Sequence, residues 1–292
     1  MVTPMRSFTR VSSLRGRSLR AFSASPITQV DDKPISTGDC LVSGLNGAQD
    51  IIVRAVCCRE LVQESMLRNN LSPQTSDTLA HVMAASMMMG SGLKNNETLQ
   101  VNIVGSNPDG IRNVMVITDG ELKVRGLVGN PVYSGSTAVR DSFGTDGQIQ
   151  CVRNHPDWKA PQVGMTLLRD MDISLNLAFY MVESEQRSAF ILTDVRVDGN
   201  LCRHALGLMV ERLPGVSDEN IDLSIRNLEA IEKKGLRSYL DRTEEQRKSD
   251  NSPGGFRSFE AALETLIDDV MVDMDEGMSI RWTKEPSFKC GC

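Results

Sequence analysis

The chain has 292 residues, of which 40% are hydrophobic and 24% are charged, and its formal net charge is -6. This is the composition of a globular protein that is long enough to form one large or two smaller cores. No run of about 18 or more apolar residues occurs, so the sequence predicts no membrane-spanning helix. The acidic balance argues against nucleic acid or an anionic membrane as the main partner.

The first 30 residues differ from the rest, because they contain five arginines and many serines but no acidic residue. Such a start is typical of an organelle transit peptide, and Arg20-Ala21-Phe22-Ser23 has the form of a mitochondrial processing site. We expect residues 1–22 to be a transit peptide that directs the protein to the mitochondrial matrix. The alternatives are the plastid, or the cytoplasm if the leader is not cleaved. Residues 23–47 are predicted to be a disordered mature N-terminus.

The next segment predicts a strand that runs into a helix (50–62), a helix (72–89) and a three-stranded antiparallel meander (98–127). Ser72 can cap the second helix and Pro73 suits its first turn. The meander is predicted from short alternating runs of apolar residues that are separated by tight polar turns.

Further along, a short strand (148–152) precedes an amphipathic helix (170–186) and a hairpin around Asp198-Gly199. Asp-Gly is a strong hairpin turn. Beyond Pro214-Gly215 the pattern becomes helical: Ser217 can cap one helix, and residues 259–271 carry an apolar stripe that predicts another. Strands and helices followed by a mainly helical segment indicate an α+β fold with an appended helical module.

Seven cysteines are present, and two of them, Cys290 and Cys292, form a Cys-Gly-Cys pair. Two thiolates one residue apart can bind a soft metal, but structural zinc takes four ligands, so this pair supplies half of a site. A redox-active pair and an inert pair are equally compatible with the motif. The other five cysteines lie in apolar sequence and are predicted to be buried free thiols.

No catalytic set is visible around the three histidines. Cys202 and His204 lie two residues apart on a predicted strand, where the alternation of side chains alone places both on one face. Cys151 and His155 offer no more convincing arrangement of a thiolate beside a base. We therefore predict that the chain is not an enzyme, with a cysteine-dependent enzyme as the least favoured alternative.

Several short motifs follow one another in an order that points to a known family. The helix 79–90 precedes the meander, the helix 172–186 ends in Glu183-Ser184-Glu185-Gln186, and Phe288-Lys289-Cys290-Gly291-Cys292 follows the helical segment. Smaller matches are Val124-Arg125-Gly126 and Leu213-Pro214-Gly215. In this order, over residues 48–292, the chain resembles the 33-kDa heat-shock family of redox-regulated chaperones. One departure is Leu127, where the family has an aromatic residue.

The resemblance implies a division of the chain and a function. It implies an α+β chaperone core domain over 48–215, a helical linker or switch over 216–285, and the incomplete start of a redox zinc-binding region over 286–292. The implied function is that of an ATP-independent holdase, which binds unfolding proteins and prevents their aggregation under stress. Its implied partners are unfolded clients and, when active, a second copy in a homodimer, but neither nucleic acid nor a membrane.

The resemblance also implies the site residues. Cys290 and Cys292 would be redox-active thiols and zinc ligands, whose oxidation to disulfide releases zinc and loosens the linker. Clients would bind to the apolar stripe of the last helix, formed by Phe259, Leu263, Leu266, Ile267 and Val270.

The second cysteine pair of the family, Cys-x-x-Cys, does not follow Cys292 in this sequence. Three explanations stay open at this point: a truncated chain, two chains that share one zinc ion, or a linker that is never clamped. The rival function is a thiol-based peroxide sensor that acts on one specific partner.

Overall fold

The computed structural model describes residues 38–94, 96–169, 171–241, 259–274 and 280–288. The described strands form two sheets, which we call sheet A and sheet B. Sheet A is antiparallel, with the order β10-β1-β2-β9-β8. Its strands are β1 (Cys40–Leu45), β2 (Ile51–Cys57), β8 (Ser188–Asp198), β9 (Leu201–Arg212) and β10 (Ile280–Lys284).

Sheet B has six strands in the order β11-β5-β4-β3-β6-β7. All of its neighbours are antiparallel except the short β11, which pairs parallel with β5. Its strands are β3 (Thr98–Val104), β4 (Asn113–Asp119), β5 (Lys123–Val128), β6 (Gln148–Asn154), β7 (Gln162–Leu167) and β11 (Ser287–Phe288).

Six α-helices complete the described part of the chain, together with a 3-10 turn at Leu236–Tyr239. The α-helices are α1 (Arg59–Asn69), α2 (Pro73–Gly90), α3 (Val139–Phe143), α4 (Ile173–Glu183), α5 (Asp218–Lys234) and α6 (Phe259–Val270). None of these described helices is long and apolar enough to cross a bilayer.

Helix α2 lies between the two sheets and contacts strands of both. Fourteen of its 18 residues are buried, because it packs on β8 and β9 of sheet A and on β4 and β5 of sheet B. Its apolar residues and the inner faces of the two sheets form one hydrophobic core. A second core lies on the opposite face of sheet A, under α5 and α6.

Side-chain caps fix where three of these helices begin, and two of the caps, Ser72 and Ser217, were predicted from the sequence. The hydroxyl of Ser72 accepts a hydrogen bond from the backbone N–H of Thr75 at the start of α2. Asp172 caps α4 in the same way through Leu175, and Ser217 caps α5 through Asn220. Side-chain oxygens at this position satisfy backbone donors that have no partner within the helix.

The α+β class, the meander, the hairpin and the helices after residue 217 are confirmed, with helix and strand ends shifted by a few residues. The predicted disorder of residues 23–47 is wrong for Cys40–Leu45, which forms strand β1 with five of its six residues buried. Pairing explains this order, because β1 forms a hairpin with the next strand, β2, on one side and pairs with the distant β10 on the other. Strands β7 and β10 were also not predicted. The transit peptide of residues 1–22 lies outside the described residues.

Candidate functional site beneath the C-terminal helices

Helix α6 carries the apolar stripe that the sequence predicts as a client-binding surface. All five residues of the stripe are buried, each with 2% or less of its surface exposed. These residues are Phe259, Leu263, Leu266, Ile267 and Val270. Acidic side chains occupy the opposite side of the helix, so burial of the stripe follows from the amphipathic pattern. In this state the predicted client-binding residues are therefore not accessible.

The stripe packs on the outer face of sheet A, where alternate strand residues point toward the helices. These strand residues are all apolar and together present an uncharged platform. They are Cys40, Val42, Ile51, Val53, Ala55, Cys57, Phe190, Leu206, Leu208 and Val210. Leu228 and Ile231 of α5 and the 3-10 turn residues Leu236 and Tyr239 close the same core. Separating the helices from sheet A would expose apolar surface on both sides of the interface.

Asn227 of α5 holds the C-terminal end of α6 against α5 through two hydrogen bonds. Its amide nitrogen donates to the carbonyl oxygens of Val270, at 2.9 Å, and Val272, at 2.8 Å. Carbonyl groups at a helix C-terminus lack partners within the helix, so this buried amide gives a donor to Val270, the last residue of α6, and to Val272 just beyond it. The neighbouring contact between Arg226 and Asp273, at 2.7 Å, is exposed on both sides and adds little.

A second attachment joins the start of α5 to sheet A. The carboxylate of Asp50, just before β2, accepts two hydrogen bonds from the amide of Asn220, at 3.1 and 3.2 Å. Ser224 accepts a bond from the guanidinium of Arg212 at the end of β9, at 3.2 Å. These polar residues were not predicted from the sequence. A signal was present, because positions 220, 224, 227, 228 and 231 recur at helical spacing and so share one face of α5.

A cavity of about 530 Å³ opens beside the first turn of α6, between that turn, β1 and the start of α1. Asp39 lines it and accepts hydrogen bonds from the backbone N–H groups of Glu60, at 3.0 Å, and Leu61, at 2.8 Å. Burial outweighs these bonds and raises the pKa of Asp39 to about 6. The pKa of this carboxyl group, at the edge of the interface, is therefore raised toward neutral pH.

The five described cysteines are buried and free, as predicted. Burial raises the pKa of both Cys40 and Cys202 to about 12. For the same reason the pKa values of Cys57, Cys58 and Cys151 lie well above the usual range of a thiol. Because the thiolate is the reactive form, none of the five is suited to peroxide chemistry or metal binding in this state.

The pair Cys202 and His204 does not share one face of β9, contrary to the prediction. A β-bulge in the pairing of β8 with β9 separates them: His204 lies opposite Arg196, whereas Cys202 lies opposite Val197. Cys202 therefore joins the core around α2, and the ring of His204 binds the carboxylate of Asp194 at 3.0 Å. No thiol–imidazole pair results.

Zinc does not fit the part of the chain that the structure describes, since no group of three or more His, Cys, Asp or Glu side chains could hold a metal there. The two predicted ligands, Cys290 and Cys292, lie outside the described residues. A tetrahedral zinc site takes four protein ligands, so the pair provides at most half of one.

Comparison with known proteins agrees with this architecture. The family model described as Hsp33 protein matches residues 39–292. The 33 kDa chaperonin of Staphylococcus epidermidis is 30% identical over 192 residues, which are 63% of this chain and 64% of that protein. The 33 kDa chaperonin of Bacillus pumilus is 32% identical over 205 residues, which are 66% and 68% of the two chains. The matched part thus spans slightly less than two thirds of the Staphylococcus protein.

A solved structure shares the fold. The crystal structure of the 33 kDa chaperonin of Thermotoga maritima matches with a TM-score of 0.68 and 21% identity, over 87% of this chain and 81% of that one. The prediction that the chain is not an enzyme agrees with these relatives, which are named chaperonins. Because the family model covers both sheets, the C-terminal helices and the terminal cysteine pair, this chain belongs to the Hsp33 family.

Proposed function

We propose that this protein is an ATP-independent holdase, which binds unfolding proteins and prevents their aggregation. The observation that carries the proposal is the buried stripe of α6. Five apolar side chains are held against an apolar sheet face, and the end of α6 is fastened by one amide side chain. A surface of this kind binds unfolded segments once it is uncovered, because exposed apolar area recognises apolar chains without sequence specificity.

We further propose that oxidation of Cys290 and Cys292 uncovers the stripe. The five buried thiols are poor candidates, since the pKa of each is raised. The terminal pair follows β11, whose Ser287 lines the same cavity as Phe259 at the start of α6. Constraining this tail by a disulfide, or freeing it, therefore acts next to the interface. Zinc at the same pair, the activated homodimer and the mitochondrial matrix remain parts of this proposal.

The decisive experiment measures light scattering by a thermally unfolding client protein. The full chain is added without ATP, once after reduction and once after peroxide treatment. Suppression of light scattering only after peroxide treatment supports an oxidation switch. Suppression of light scattering in both states supports a holdase whose linker is never clamped. If neither state suppresses scattering, the holdase function is wrong, and a peroxide sensor with one specific partner becomes the better explanation.

The site itself is tested with the double variant Leu263→Ser and Leu266→Ser. Removing two apolar side chains from the stripe is expected to weaken suppression by the oxidised protein several-fold. Leu67→Ser is the matched control, because Leu67 is 68% exposed on α1, away from the interface. Equal activity of the double variant and the control would place client binding elsewhere.

The transit peptide predicted for residues 1–22 is tested by a separate measurement. Residues 1–22 fused to a fluorescent reporter are expected to direct it to mitochondria, because an Arg- and Ser-rich, acid-free segment forms a basic presequence. A fusion in which the five arginines are replaced by glutamine is the control. Reporter fluorescence in plastids or throughout the cytoplasm would contradict the matrix assignment.

A further inference from the structure

A cavity of about 270 Å³ lies between the two sheets, beside the C-terminal ends of α2 and α4. None of the residues that line it belongs to the core under α5 and α6. One part of its wall is apolar, and the rest carries three arginines and a glutamate. An apolar cavity into which a few polar groups converge is the usual form of a small-molecule site. The apolar residues are Met89, Leu93, Leu99 and Met181.

Arg54 of β2 brings a buried guanidinium group to this cavity. Its side chain is 8% exposed, and its Nη1 donates to the carboxylate of Glu211 at 2.9 Å. The same carboxylate accepts two bonds of 2.6 Å from Arg187. Among the described residues, Nη2 of Arg54 has no acceptor, and it lies 3.6 Å from where a Cβ atom at Gly92 would stand. Because a buried donor without a partner is costly, this nitrogen favours an anionic group in the cavity.

Glu185 brings the opposite charge to the same cavity. It follows the C-terminus of α4, and its Oε1 accepts a hydrogen bond from the hydroxyl of Tyr180 at 2.7 Å. Within the described part of the chain its Oε2 has no partner, so it can accept from a cationic group. An unused donor and an unused acceptor, both charged, therefore line one small volume.

The charges around the cavity balance one another. Glu211 lies between two of the arginines, and Glu97 pairs with the third, Arg153, at 3.1 Å. Glu185 offsets the positive charge that remains. A ligand with a net charge would leave one charge uncompensated where solvation is poor, which is costly, whereas a zwitterion keeps the balance. The site therefore favours a ligand that carries both a carboxylate and an ammonium group.

The size of the cavity limits the ligand further. If a non-hydrogen atom with its hydrogens takes about the 30 Å³ of a water molecule, the cavity holds roughly nine such atoms. Leucine has this number, and its side chain matches the apolar wall. We propose that the cavity binds a free, apolar α-amino acid of about the size of leucine. Its carboxylate binds Nη2 of Arg54, its ammonium group binds Glu185, and its side chain packs on the apolar residues. This site does not rest on the proposed holdase function.

Isothermal titration calorimetry of the full chain with L-leucine tests the site, and saturable binding of one molecule per chain is expected. Two analogues separate the charged contacts, because 4-methylpentanoate lacks the ammonium group and isopentylamine lacks the carboxylate. Each should bind at least about ten times more weakly than leucine, since a site built around a polar group rejects an analogue that lacks it. L-Lysine should not bind, because the apolar wall cannot solvate a second ammonium group.

Three variants identify the cavity as the place of binding. Arg54→Gln removes the carboxylate contact, and Glu185→Gln removes the negative charge but keeps an oxygen for Tyr180. Gly92→Leu fills the cavity and leaves the pair of Arg54 and Glu211 in place, since a Cβ atom at Gly92 meets only Nη2 of Arg54, at an ordinary contact distance. All three should weaken leucine binding at least about tenfold. Arg196→Gln is the matched control, because its side chain is 55% exposed and does not line the cavity.

Each outcome bears on the proposal. If the full chain binds no leucine at millimolar concentrations, the site is wrong. Equal affinities for leucine and 4-methylpentanoate would overturn the amino-acid assignment, and unchanged binding by Gly92→Leu would place leucine outside this cavity. Because Gly92→Leu keeps the buried arginine, the test does not depend on whether Arg54→Gln folds. Leucine binding by a protein that suppresses no client aggregation would support this site while the holdase function fails.

Discussion

Gly44 of β1 lies directly beneath Ile267 of α6. A Cβ atom at Gly44 would stand 2.8 Å from Cγ2 of Ile267 and 3.1 Å from Cε of Met271. The first distance is shorter than carbon atoms tolerate, because their optimal separation is about 3.5–4.0 Å. The lack of a side chain at position 44 is therefore what lets α6 approach sheet A closely enough to bury its stripe.

Gly44→Val is expected to loosen α6 and to expose the stripe without oxidation. Overpacking of this kind costs about 1–3 kcal/mol, and here the cost falls on one helix rather than on the whole core. Hydrogen exchange in residues 259–270 should become faster, and the reduced protein should suppress client aggregation. Gly38→Val is the control, since a Cβ atom there meets nothing within 4 Å. Unchanged exchange in the Gly44 variant would mean that α6 adjusts its position without leaving the sheet.

Asn227→Ala is expected to weaken the same interface from the other end. The substitution leaves the carbonyl oxygens of Val270 and Val272 without their donor, and leaving buried groups unpaired costs about 1–3 kcal/mol. The midpoint of urea unfolding should fall, and suppression of aggregation by the reduced protein should rise.

The adjacent Arg226→Ala is a matched control for this substitution. Its ion pair with Asp273 is more than half exposed on both sides, and such pairs contribute about 0–1 kcal/mol. If both variants shift the midpoint equally, the two bonds of Asn227 do not govern the docking of α6.

The sequence predicted most elements of this fold because local patterns fix them. Ser72, Asp172 and Ser217 cap helices where their hydroxyl or carboxyl groups can reach a backbone donor, and the meander alternates cleanly. Strand β1 was not predicted, although it forms a hairpin with β2, because its second neighbour, β10, lies more than 200 residues away, as in the pairing of Leu41 with Lys284. Long-range pairing of this kind leaves no local signal.

The apolar stripe of α6 was predicted from the sequence, but its burial was not, and its role in client binding stays a prediction. The apolar stripe of α6 is visible as a helical period, yet its burial depends on sheet A, whose outer face includes the unpredicted β1. The same limit explains the error at Cys202 and His204, since a β-bulge between strands is not encoded in the spacing of two residues. Which apolar face is covered is decided by tertiary packing rather than by the pattern itself.

Thiol labelling should separate the buried cysteines from the terminal pair. In the native reduced protein, a maleimide is expected to modify Cys290 and Cys292 and to leave the five buried thiols unmodified, because these are inaccessible and protonated. Mass spectrometry of the labelled protein should therefore show two adducts. After peroxide and without re-reduction, slow labelling of Cys40 would report that α6 has left sheet A, since Cys40 belongs to the core beneath it. Fast labelling of Cys40 in the untreated protein would contradict the packed interface.

Asp39 should make the stability of the core depend on pH. Its folded pKa of about 6 lies above the value of 3.8 for an unperturbed aspartate, so the folded state holds the proton more tightly than the unfolded state does. The resulting contribution to stability is complete below about pH 4 and is lost as the pH rises through 6. Between pH 5 and pH 7.5 this loss amounts to about 1 kcal/mol.

Asp39→Asn removes the titrating group and keeps one of the two acceptor oxygens, which bond separately to the N–H groups of Glu60 and Leu61. The loss of the other bond lowers the stability of the variant by the same amount at every pH. Urea unfolding of both proteins at pH 5 and pH 7.5 should therefore show the unsubstituted protein losing about 1 kcal/mol more stability over this interval than the variant. All other titrating groups are common to both proteins and cancel in the comparison. A parallel pH dependence of the two proteins would mean that Asp39 keeps an ordinary pKa, which requires that water from the adjoining cavity hydrates its carboxylate.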